Sequence, residues 1–125
     1  MELKPGELAD KLSILHLKCL YAKDPESRKF MQKEFDEAFQ EWNEMVKKPE
    51  AWHLFFELAR ANGDIWQLEK GIRDLPDDVE IRNYEEIGKR AMQIRDINKT
   101  RIKLCNEINA IYGANPELKI NHASE

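Results

Sequence analysis

The chain has 125 residues, long enough for one domain that buries about two-thirds of its unfolded surface. Charged residues make up 35%, which suits amphipathic helices with wet outer faces, and five Gly with five Pro exclude a low-complexity or collagen-like chain. The formal net charge of −4 gives no field for nucleic acid, and no apolar run approaches the roughly 18 residues of a membrane span.

The opening MELKPGELADKL carries no apolar segment of signal type, so a cytoplasmic location is expected. The first helix begins near Pro5, because a proline at the first helical position lacks only an N–H that would have no partner there. Leu8, Leu12, Leu15 and Cys19 make one apolar row, and Ile14, Leu17 and Tyr21 make a second. Asp10 shares the second row and Lys11 sits beside the first.

Asp24-Pro25 closes this helix and opens the next, which runs to about Lys47 with Met31, Phe35, Ala38, Phe39, Trp42, Met45 and Val46 as its stripe. Glu34, Glu37, Glu41 and Glu44 line another side and are available for charge pairing with the basic residues of the last helix. Pro49 breaks the pattern, and a third helix spans about Glu50 to Asp74. Its core row is Leu54, Leu58, Ala61, Ile65, Leu68 and Ile72. An adjacent row starts with Trp52, Phe55, Phe56 and Ala59 and turns polar at Asn62, Trp66, Glu69 and Arg73. Gly63 within it costs about 1 kcal/mol relative to Ala, so it marks a bend or a close backbone approach.

Leu75-Pro76-Asp77-Asp78 is a turn, with Asp77 and Glu80 spaced as a capping box. The longest helical pattern follows, from Tyr84 to Gly113. Gly113 and then Asn115-Pro116 supply its stop. The expected fold is all-α, an antiparallel four-helix bundle over residues 1–113 with a long C-terminal helix, followed by a short polar tail, 114–125, extended or loosely docked. If the end of the last helix overhangs its partners, Ile108, Ile111 and Tyr112 are exposed, which favours a homo-oligomer.

Catalytic templates are missing: there is no Gly-rich phosphate loop, HExxH, G-x-S-x-G or paired C-x-x-C. No catalytic residue, metal or cofactor is therefore assigned. His16, Cys19 and Cys105 give too few ligands for zinc, and Glu50-x-x-His53 lacks the second unit of a di-iron site. The cysteines read as small core residues. The enzyme alternative rests on Glu7-x-x-Asp10 and Glu34-x-x-Glu37. These carboxylate pairs superficially resemble the Mg²⁺-binding motifs of the all-α nucleotide pyrophosphohydrolases of the MazG and dUTPase-like group, in reversed order.

What remains is a set of polar residues on apolar rows: Asp10 and Lys11, then Asn62, Glu69 and Arg73, then Arg95, Asn98, Arg101 and Asn109. Three readings are open. They form a buried polar layer fixing helix register, or a cleft for a small polar or anionic ligand with Lys11, Arg73 and Arg101 as anion contacts, or they face solvent separately.

Pro5 to Leu15, PGELADKLSIL, resembles the opening block of a bacterial and phage family of uncharacterised helical domains. Ile65-Trp66-Gln67-Leu68-Glu69 with Ile72-Arg73 is similar to its second block, and Ile97-Asn98, Arg101, Lys103 and Ile108-Asn109 to its third, with the lysine shifted by one position. Residues 24–60 match poorly, and Leu118 to His122 replace the family's usual ending. The resemblance implies an intracellular helical domain, sometimes encoded beside surface-polysaccharide or phage genes, and carries no activity. The favoured function is a non-catalytic, self-associating interaction module.

Overall fold

The computed structural model describes residues 3–75 and 81–114. The capping box at Asp77 and Glu80 and the tail from 115 onward lie outside them. The chain is an all-α, antiparallel four-helix bundle of α1 (Pro5–Tyr21), α2 (Pro25–Met45), α3 (Pro49–Arg73) and α4 (Ile81–Ile111). None of these helices is long and apolar enough to cross a membrane.

Proline opens α1, α2 and α3, where its fixed φ is already helical. Asp24 caps α2: its carboxylate accepts the Ser27 N–H and the Ser27 hydroxyl, both at 2.8 Å. Those hydrogen bonds hold its pKa below the usual carboxylate value. At the other end of the chain Gly113 takes a φ of +70°, which only glycine adopts without strain, and α4 stops there.

The directions of the helices follow from which residues meet. Gly6 and Asp10 of α1 meet Asn109 and Arg101 of α4, so these two run antiparallel. Asp10 and Tyr21 meet Asn62 and Gln67 of α3, so α1 and α3 run parallel. The chain therefore goes up, down, up, down, and α1 packs against all three partners. Leu8, Leu12, Trp42, Leu58 and Ile108 are buried almost completely at the centre. Burying each such side chain contributes on the order of 1.5–3 kcal/mol.

Three expectations are corrected here. First, no Cα of α2 lies within 8 Å of one in α4, so the two helices are not packed side by side for the glutamates of α2 to pair along α4 within one chain. α1, which packs against both, lies between them. Second, the end of α4 is not exposed. Ile108 is fully buried, and Ile111 and Tyr112 pack against the core. The Lys48 N–H donates to the Tyr112 hydroxyl at 3.3 Å, and Lys48 Nζ donates to the Ile111 carbonyl and lies 5.6 Å from the Tyr112 ring centre. The large exposed apolar side chains of α4 are Tyr84 and Met92, toward its start. Third, no backbone comes close at Gly63, where a Cβ would meet nothing within 4 Å; α3 runs through it as the one helix expected. The close approaches are instead at Gly6, against the Cys105 carbonyl, and at Gly71, against the Arg90 guanidinium.

Candidate functional site

The polar residues on apolar rows meet where α1, α3 and α4 converge. Arg101 clamps Asp10 with two hydrogen bonds, Nε to Oδ1 at 2.8 Å and Nη2 to Oδ2 at 2.7 Å. Their side chains are 12% and 16% exposed, so this is a largely desolvated bidentate pair. Burial disfavours the charged guanidinium, but the hydrogen bonds and charge of Asp10 outweigh it and hold the Arg101 pKa above its ordinary value. Arg101 also donates to Asn98 Oδ1 at 3.1 Å. From α3, Asn62 Nδ2 donates to Asp10 Oδ1 at 2.9 Å and to Ser13 Oγ at 2.6 Å. The Ser13 hydroxyl in turn donates to the Asp10 carbonyl at 2.8 Å. One carboxylate thus ties three helices together.

Two turns away, Asn109 of α4 reaches the first turn of α1, where its Oδ1 accepts the Gly6 N–H at 2.7 Å. The N-cap residue Lys4 makes no side-chain cap hydrogen bond. Asn109 supplies the missing acceptor across the bundle, satisfying one of the orphan donors of a helix start. Glycine is required at position 6 because any Cβ would strike the Cys105 backbone. Among the described residues, the buried Asn109 Nδ2 and Trp42 Nε1 have no hydrogen-bond partner.

Of the nine residues expected to form this cluster, Asp10, Asn62, Asn98, Arg101 and Asn109 are inside it. Lys11, Glu69, Arg73 and Arg95 are exposed and stand outside it. The trio of anion contacts is therefore not assembled, since Arg101 is held by Asp10 while Lys11 and Arg73 face solvent. Asn62 joins as its row suggested. Gly6 and Ser13 are additions. The signals for them were a glycine in a first turn that favours better helix formers and a small hydroxyl three residues after Asp10.

Of the carboxylates of the enzyme alternative, the pair on α1 is engaged within the fold, while Glu37 of α2 is exposed. Glu7 Oε1 accepts the Lys4 N–H at 3.1 Å, and Asp10 is held by Arg101 and Asn62. His53 and Glu57, both exposed, pair at 3.6 Å. Cys19 and Cys105 are free thiols. Burial, with the nearby charge of Asp36, pushes the Cys19 thiol up. Among the described residues no three His, Cys, Asp or Glu side chains gather as metal ligands.

A second region stands out by exposure. No Cα of α2 lies within 8 Å of one in α3; aromatic rings bridge the two instead. Trp42 is fully buried against Trp52 and Phe55, with centroids 5.8 and 5.4 Å apart. The cluster continues outward through Phe39, 6.4 Å from Trp52, to Phe56, 6.1 Å from the same ring. Phe56 is 63% exposed and Phe39 37%. Further along α3, Trp66 stacks on Tyr21 at 5.6 Å, and Tyr21 is 39% exposed. On the far side of α3 an open groove of about 490 Å³ carries Glu57, Arg60, Asp64, Lys103 and Glu107, charges of both signs that select no ligand class.

Comparison with protein-family models, curated proteins and solved structures returns no match.

Proposed function

We propose that this protein is a non-catalytic helical module that works by self-association, with the polar cluster serving the fold and the aromatic face of α2 and α3 serving the contact. The exposed aromatic face carries the reading. Phe56 and Phe39 project from a rigid ring cluster rooted on the buried Trp42. Rigid aromatic anchors of this kind lose little conformational entropy on binding and dominate protein contacts. The polar cluster, in contrast, spends the Asp10 carboxylate, the Arg101 guanidinium and Asn62 on one another, as a register-fixing layer does, and leaves the Asn109 Nδ2 as its one unpaired buried donor among the described residues.

The alternative, a Mg²⁺-dependent nucleotide pyrophosphohydrolase, needs carboxylates open to a cation. The hydrogen bonds of Glu7 and Asp10 argue against it. Kinship with the helical family of the opening block also stays a proposal. In its support, the first and third blocks supply Gly6, Asp10, Ser13, Asn98, Arg101 and Asn109, six residues of one cluster.

Light scattering over a concentration series tests the function. A dimer that Phe56→Ser weakens at least tenfold, with deoxynucleotides left intact in the presence of Mg²⁺, is the expected result. A monomer at high concentration, or release of pyrophosphate, overturns it.

A further inference from the structure

We infer that two copies pair through α3 as an antiparallel twofold contact centred on Ala59, an inference that rests on the self-association proposed above. The stripe Trp52, Phe56, Ala59, Gly63 and Trp66 steps by four, three, four and three, so it forms one seam along α3. Its members range from half-buried to exposed.

Three observations point to a second copy of this chain rather than a foreign partner. The seam carries a tryptophan at each end, equally far from its centre. Trp52 and Trp66 lie seven residues either side of Ala59, and Phe56 and Gly63 are placed almost symmetrically within them. A twofold interface demands that kind of self-complementarity, because each residue meets its counterpart twice. In this register Trp52 of one copy lies against Trp66 of the other, and Phe56 enters the recess over Gly63.

The second observation is Gly63 itself. Gly6 and Gly71 are explained inside the chain by the Cys105 backbone and the Arg90 guanidinium, whereas a Cβ at Gly63 meets nothing within 4 Å. Gly88 of α4 is open in the same way, but Gly63 lies on the seam, where the space it leaves is a recess that Phe56 of the second copy fits.

The third is area. An aromatic side chain carries about 150–250 Å², so the exposures of Phe56, Phe39 and Tyr21 with the half-buried Trp52 and Trp66 place roughly 400 Å² of aromatic surface on this face. A standard interface takes about 800 Å² from each partner, a little over half of it apolar.

The test uses the full chain carrying Cys19→Ser. Ala59→Cys is expected to give a disulfide-linked dimer on mild oxidation, while the exposed Glu41→Cys of α2 gives none. Gly63→Leu is expected to weaken the dimer at least tenfold without lowering the thermal midpoint measured at a dilution where the chain is monomeric, since the added side chain enters open space within its own chain. A dimer by light scattering that Ala59→Cys does not link, or that Gly63→Leu leaves intact, overturns the register and spares the self-association. A monomer at high concentration overturns both.

Discussion

Along the seam between α1 and α4, charged and amide groups are turned inward and held by one another. Across the face of α2 and α3, large rings are turned outward with solvent over them. Asp10 and Arg101 are 16% and 12% exposed, while Phe56 is 63% exposed. Each region reverses the ordinary placement of its residue types, but the reversals differ in their consequences. Burying the ion pair costs desolvation and returns it only through geometry, which fixes how α1, α3 and α4 register. Exposing the rings leaves surface whose burial is still available to a partner. A cluster that is satisfied within the chain reads as structure, and one that is not reads as contact.

The strongest way to break this contrast is Arg101→Ala. It leaves the Asp10 carboxylate mostly buried beside Asn62 with no cation, and a loss of about 3–5 kcal/mol in urea unfolding is expected. A loss under about 0.5 kcal/mol would mean that the pair is effectively solvated and that the cluster does not organise the fold. Replacing Asp10 and Arg101 together by leucine should recover much of the loss, because no uncompensated charge is then left behind.

Gly6→Ala comes next. The added methyl runs into the Cys105 carbonyl, which is backbone and yields little, and it pushes the start of α1 off Asn109. Overpacking of this kind costs about 1–3 kcal/mol, measurable by thermal or urea unfolding. The contrasting case is Gly63→Ala on the aromatic face, where no internal atom is near and the fold of the monomer should not suffer.

The helices were legible because their punctuation is local. Pro5, Pro25 and Pro49 open three of them, Gly113 closes the fourth, and apolar periods fill the spans between. The fold class followed directly. The polar cluster was half legible. Period shows that Asp10, Asn62, Asn98 and Arg101 lie on apolar rows, but it does not show how far a neighbouring helix extends along a row or how α4 is rotated. Arg95 and Lys11 lie on the wet margins of their helices. Gly6 was missed because its partner, Asn109, is 103 residues away. The aromatic stripe of α2 has the spacing of a core face, so its exposed part is not visible in the period. Only the packing shows that Trp42 reaches the interior while Phe39 and Phe56, on the same two helices, do not.

Glu69 gives the smallest expected effect and the most pointed one. It shares a row of α3 with Asn62 and Trp66, and on period alone it belongs to the polar cluster. The row, however, outruns α1. Asn62 meets Asp10 and Ser13, Trp66 stacks on Tyr21, and Tyr21 is the last residue of α1. Beyond it nothing covers Glu69 or Arg73, and both are exposed. Glu69→Ala should therefore change stability by less than about 0.5 kcal/mol, the usual range for a surface substitution. A loss of several kcal/mol in the same urea titration would place Glu69 under cover, and a loss that vanished on dilution to the monomer would assign that cover to a second copy.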